Sequence, residues 1–185
     1  MVPLWFPRLL DALASNHDQP GFRQAQLATV RGDGRPANRT VVVRNVDESS
    51  GGLWISTDSR SAKVEQLEQT GWAELCWYFS GSREQFRLLG RVRVVGPEAP
   101  SADRTAAWKL LPNASRLTFF GPAPGTNYEP VASAEPPNLQ SPPQNFVVLI
   151  LDPEVVEHLD LKPTPHVRTR WNAEGSEWCF ERLHP

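Results

Sequence analysis

The chain has 185 residues, 39% of them hydrophobic, with 19 lysines and arginines against 21 acidic residues and a net charge of −2. That size supports a single domain spanning 1–185 with a sizeable core, and the charge balance leaves no basic footprint for nucleic acid or an anionic membrane. No apolar run approaches the roughly 20 residues that a membrane-spanning helix needs.

Residues 1–20 read as an amphipathic helix carrying Trp5, Phe6, Leu9, Leu10 and Leu13. They lack the positive start, continuous apolar run and small-residue cleavage site of a secretory leader, so the expected compartment is the cytoplasm. From Gln24 the period changes from helical to extended. Gln26 to Arg31 and Asn38 to Val46 pair around Gly32-Asp33-Gly34-Arg35-Pro36, whose two glycines are free to take positive φ. Leu53 to Thr57 is a third strand. Asp58-Ser59-Arg60-Ser61 then opens a helix through about Gln69, with Val64 and Leu67 inward. Trp72 to Phe79 and Glu84 to Val95 follow as strands joined at Ser80-Gly81-Ser82. Trp77-Tyr78-Phe79 reads as barrel core or dimer packing.

Five strands and one short helix before residue 96 point to an antiparallel barrel or sandwich rather than βαβ units. Ser101 to Leu111 reads as a helix behind Pro97 and Pro100. Residues 112–144 hold eight of the 18 prolines, the pattern of a functional loop or a solvated insertion. Phe146 to Leu151, Val155 to Leu161, and Val167 to Trp171 leading into Trp178 to Leu183 supply the last strands. The fold class is mainly β with flanking helices.

Much chemistry is excluded. Cys76 and Cys179 sit in strand-like runs without a CxxC and read as two buried reduced thiols. The four histidines, His17, His158, His166 and His184, lack metal-ligand spacing, so no metal is expected. Gly32-Asp33-Gly34 lacks the third glycine and following helix of a dinucleotide fingerprint, and no GxSxG or GxxxxGK motif occurs. Chemistry therefore falls to a cofactor rather than to a catalytic side chain.

Three segments suit a flat, anionic cofactor. Arg39-Thr40-Val41-Val42-Val43-Arg44 is a strand bracketed by arginines. Ser56-Thr57-Asp58-Ser59-Arg60-Ser61-Ala62-Lys63 is a strand feeding a helix N-terminus, where free N–H groups, a hydroxyl and a cation make a phosphate seat. Gln85 and Arg87 share one face of the long strand. Arg39 and Arg44 are five apart, so a regular strand sends them to opposite faces, and a bulge must intervene if both touch one ligand.

In order and spacing these segments resemble the pyridoxamine 5′-phosphate oxidase superfamily, the FMN-binding split barrel. The shared pattern is an R-x-V-x-x-K/R strand, a (Y/S)-T strand end, an S-x-K helix start and a Q-x-R strand. The C-terminal Trp178-Cys179-Phe180-Glu181-Arg182-Leu183-His184-Pro185 resembles the family's W-x-x-x-R-L-x-P ending. Phe120-Gly121-Pro122-Ala123-Pro124-Gly125 and Pro142-Pro143-Gln144-Asn145-Phe146 match one branch of it.

The resemblance implies a homodimeric split β-barrel with FMN at the subunit interface. It places Arg39 and Lys63 at the FMN phosphate with Ser61 nearby. Val41, Ser56 and Thr57 fall along the ring edge or ribityl chain, and Arg44 by the N1/O2 side of the ring. Gln85 and Arg168 reach the ring from the second subunit. The implied reaction is hydride transfer from a small-molecule substrate to flavin N5. Rivals are a flavin reductase on the same fold and a non-catalytic FMN-binding protein; a haem or deazaflavin barrel has little to support it.

The substrate side departs from the family. Its phosphate-binding Tyr, Arg and Ser have no clear match in 101–115, although a shifted alignment brings Ser115 and Arg116 into play. The R-x-H substrate pair becomes Thr164-Pro165-His166, and a ring-stacking tryptophan is replaced around His158. His166 and Arg116 are the substrate-side candidates, His166 being equally suited to capping a strand.

Overall fold

Burial alternates along β1 (Gln24–Val30), with Ala25, Leu27 and Thr29 turned in and Gln24, Gln26 and Val30 exposed. That two-residue period is the mark of a strand with one face on a core. The computed structural model describes residues 3–98, 102–129 and 137–185. Its other strands are β2 (Pro36–Val46), β3 (Leu53–Asp58), β4 (Trp72–Phe79), β5 (Glu84–Val95), β6 (Phe146–Asp160), β7 (Val167–Glu174) and β8 (Glu177–Leu183). All pairings are antiparallel, in the order β3-β2-β1-β4-β5-β6-β7-β8, and β3 also pairs with β6. The β3–β6 pairing closes six strands into a barrel, so neither β3 nor β2 is left as a free edge.

The sequence pattern divides Phe146 to Leu161 into two strands; the structure makes it one. The first part, Phe146 to Leu151, pairs with β3, and Val155 to Asp160 pairs with β7. β5 accompanies both parts, with a register shift between Leu89 and Gly90 opposite Pro153. Gly90 is required there, because a Cβ would collide with the Asp152 carbonyl. Proline, which cannot donate to a ladder, sits beside a bulge in its own strand, where Glu154 is the extra residue between Pro153 and Val155. In the first hairpin, Gly34 takes positive φ and Gly32 does not.

The barrel core holds Leu27, Val43, Ile55, Leu75, Trp77, Phe79, Phe86 and Leu149, whereas Tyr78 is exposed. Helix α1 (Trp5–Ser15) adds Trp5, Phe6, Leu9 and Ala12 to it. Met1 and Val2 of the expected helix lie outside the described residues. Helix α2 (Ala62–Thr70) turns Val64 and Leu67 inward and ends at Gly71, whose φ of 70° is the left-handed cap. Helix α3 (Ala102–Lys109) packs Ala107 and Trp108 on the opposite, outer face of β3 and β6, against Trp54, Phe146, Val148 and Ile150.

The stretch from Pro112 to Gln144 contains more order than its prolines imply. Helix α4 (Asn113–Leu117) and a 3-10 turn at Thr118–Phe120 pack Phe119 against Trp108 and Phe146; residues 130–136, Ser101 and Pro100 lie outside the described residues. The cysteines differ from expectation, although both are free: Cys76 is half-buried on the non-core face of β4, and Cys179 is exposed because β8 is a sheet edge beyond the barrel. Among the described residues no helix is long and apolar enough to cross a membrane.

Candidate functional site

The end of β3 and the start of α2 bring Thr57, Ser61 and Lys63 together. Lys63 Nζ donates to Thr57 Oγ1 and to Ser61 Oγ, both at 2.9 Å. Ser61 is extended (φ −84°, ψ 139°) and its hydroxyl donates to the Asp58 carbonyl at 2.6 Å, the geometry of a helix start. Across from it, Arg39 of β2 shares the inward side of its strand with Ala37 and Val41, by the register that sets Arg39 opposite Leu27. Its Nη1 donates to Leu27 O at 3.2 Å and Thr29 Oγ1 at 2.5 Å, and its Nη2 to Gln66 Oε1 at 3.1 Å.

Burial, and then the Arg39 charge, hold the Lys63 ammonium below its ordinary pKa, with Asp58 opposing them. Burial and the Arg31 charge act likewise on Arg39. The acid nearest this cluster, Asp58, is committed elsewhere. It accepts from Arg60 Nη2 at 2.7 Å and Asn145 Nδ2 at 2.8 Å. Burial would raise the Asp58 carboxyl, and those donors outweigh it and leave it low. Among the described residues Arg39, Arg44 and Lys63 join no ion pair, while Arg60, Arg87, Arg93, Arg168 and Arg170 do. Two half-buried cations with two hydroxyls and no carboxylate partner form a donor set that fits a phosphate group.

A bulge, the condition for Arg39 and Arg44 to reach one ligand, is present. Val43 pairs with Ile55 and Asn45 with Trp54, so Arg44 is the extra residue on β2. The strict alternation that separates Arg39 from Arg44 is therefore broken between them. Burial and Arg23 lower the Arg44 guanidinium. Val41 packs with the core, 8% exposed. Ser56 and Thr57 point to opposite faces of β3: the buried Ser56 hydroxyl has no hydrogen-bond partner, while Thr57 faces Lys63.

Gln85 and Arg168 meet in a second place. With Arg87, Glu157 and Leu159 they line a cleft of about 170 Å³ on the outer side of β5, β6 and β7. Glu157 organises it: Oε2 accepts from Arg168 Nη2 at 2.5 Å, and Oε1 from Arg170 Nη2 at 2.7 Å. Burial would raise the Glu157 carboxyl, but those hydrogen bonds and charges prevail and hold it below its ordinary value.

The substrate-side candidates fare differently. Arg116 spends its guanidinium on the Trp108, Lys109 and Leu139 carbonyls, at 3.1–3.4 Å, and so closes the end of α3. Exposed His166 has Nδ1 3.0 Å from Pro163 O and does not line the Gln85–Arg168 cleft. His158 faces inward, stacked on Phe86 at 4.5 Å, with Nε2 2.9 Å from Glu84 Oε1. It therefore takes no ring-stacking place in the outer cleft. Sequence reasoning missed Thr29, Gln66 and Glu157. Gln66 had a signal, lying three residues beyond Lys63 on the same helix; Glu157 had none.

A sequence profile described as pyridoxamine 5′-phosphate oxidase, FMN-binding domain, matches residues 2–96. The chain is 35% identical to a pyridoxine/pyridoxamine 5′-phosphate oxidase 2 of Arabidopsis thaliana, covering 100% of this chain and 98% of that protein. It is 30% identical to a pyridoxine/pyridoxamine 5′-phosphate oxidase of Gloeothece citriformis, over 98% of this chain and 86% of the other. Among solved structures, a pyridoxamine 5′-phosphate oxidase-related, FMN-binding protein of Nostoc punctiforme superposes with a TM-score of 0.92. It is 37% identical, with both chains fully covered.

Proposed function

Since this chain belongs to the pyridoxamine 5′-phosphate oxidase FMN-binding family, we propose that it is an FMN-dependent oxidoreductase that works as a homodimer. The observation that carries this reading is the Arg39–Lys63 pair, two half-buried cations set beside the Thr57 and Ser61 hydroxyls and joined to no carboxylate. Arg39, Lys63, Ser61 and Thr57 hold the cofactor phosphate. Arg44 sets a fixed positive charge beside the N1/O2 side of the ring, favouring electron uptake. Bound FMN supplies a hydride acceptor at N5.

Gln85 and Arg168 come from the second copy. Within one chain they form a cleft of their own, apart from the phosphate seat in the residues that line it. Glu157 fixes the Arg168 guanidinium, so its orientation does not depend on a ligand. The substrate is a small molecule that gives up a hydride. In the activity for which the relatives are named, that hydride leaves the 4′ carbon of pyridoxamine or pyridoxine phosphate.

The test is a visible absorption spectrum of the purified protein before and after adding FMN and desalting, with gel filtration alongside. One retained flavin per chain in a dimer supports the reading. Anaerobic bleaching by pyridoxamine phosphate identifies the oxidase, and bleaching by NADPH instead identifies a flavin reductase. A dimer that retains FMN but bleaches with no donor is a binding protein, and a colourless protein sinks the proposal.

A further inference from the structure

Gln66 belongs to α2 and is buried, 9% exposed. Its Oε1 accepts from Thr29 Oγ1 at 2.6 Å and from Arg39 Nη2 at 3.1 Å, while the Thr29 hydroxyl also accepts from Arg39 Nη1. The three side chains close a ring of hydrogen bonds that spans β1, β2 and α2. With Leu27 O taking a further Nη1 proton, the guanidinium is held on one side by neutral acceptors. Among the described residues, its Nε–H has no acceptor.

We propose that Gln66 and Thr29 are positioning residues for the phosphate seat: they fix Arg39 through neutral oxygens, leaving its full charge for the anion. The chemistry of the alternative shows why neutrality matters. Elsewhere this protein anchors arginines either with backbone carbonyls, as at Arg116, or with a carboxylate, as Asp58 does for Arg60 and Glu157 for Arg168 and Arg170. A carboxylate at 66 would sit about as close to Arg39 and cancel the attraction for a phosphate at the same range. An amide orients the fork at no such cost.

This inference rests on the FMN reading, and the experiment separates the two. Apoproteins of wild type, Gln66→Glu and Thr29→Val are titrated with FMN and with riboflavin, which lacks the phosphate, following flavin fluorescence. Thermal unfolding of each apoprotein is measured in parallel. The expected result for Gln66→Glu is a fall of at least tenfold in the FMN-to-riboflavin affinity ratio. Its unfolding temperature should be no lower than wild type, because the new carboxylate pairs with Arg39. Thr29→Val is expected to lower the ratio about threefold, and it decides the matter if Gln66→Glu does not fold. A purely structural role would weaken both flavins together and leave the ratio within twofold of wild type, which overturns the proposal. A wild-type protein that binds neither flavin overturns the FMN reading itself, and this inference with it.

Discussion

Glu157 Oε2 accepts two hydrogen bonds from Arg168, at 2.5 Å from Nη2 and 3.1 Å from Nε, so β6 and β7 are locked side chain to side chain across the outer cleft. The other carboxylate oxygen holds Arg170 in the same way, at 2.7 and 2.9 Å. Glu157→Gln removes the charge shared by both arginines. Because those arginines are about one-third exposed, screening reduces the loss, and the expected destabilisation is about 1–2 kcal/mol in urea unfolding. The Glu157 carboxyl is held below 4.5, so its contribution is complete above the unfolded value and disappears as pH falls through the folded one. The variant should lose that acid-side slope.

Arg39→Ala combined with Lys63→Ala should abolish FMN retention while the dimer persists on gel filtration. Two charge-assisted contacts at about 1.5–3 kcal/mol each amount to at least a 100-fold loss of affinity. Wild-type affinity in the double variant would remove the phosphate assignment.

Lys63 also sets a pH limit. Burial and Arg39 lower its pKa from 10.5, so the ammonium loses its proton earlier than a surface lysine on the alkaline side. FMN affinity should decline with rising pH, beginning below 10.5, and Lys63→Arg should extend the plateau. Titration of the apoprotein across alkaline pH checks this.

Gly90→Ala and Gly34→Ala form a contrasting pair. At Gly90 a Cβ meets the Asp152 backbone beside the bulge in β6, and backbone cannot step aside cheaply. The expected cost is about 2–3 kcal/mol. At Gly34 a Cβ meets nothing within 4 Å, and the strain is that of φ 82° alone, about 1 kcal/mol. Chemical denaturation of both variants gives the comparison.

His158 supplies a second acid-sensitive group. Burial lowers its pKa below 6.5 more than Glu84 raises it. The folded state therefore binds the proton less readily than the unfolded chain, and stability falls as pH drops from 6.5 toward the folded value. His158→Gln should flatten stability over that interval.

Local chemistry made much of this protein legible. The two-residue period gave β4 and β5 their ends, because each is flanked by turn residues and faces one core. The Ser61–Lys63 cluster was readable since its parts lie within one helical turn. The five-residue spacing of Arg39 and Arg44 showed that a bulge would be needed for both to reach one ligand; Arg44 is the bulged residue. Tertiary structure alone decided the rest. Whether β3 meets β6 depends on barrel closure between segments some 90 residues apart, which no window of sequence contains. β6 likewise runs unbroken through Pro153, because it bulges at Glu154 and keeps its pairing with β5 on both sides. Arg116 and Arg39 are both arginines in plausible positions. One faces three carbonyls at a helix end and the other faces neutral oxygens beside a lysine, and that difference arises from which elements fold against them.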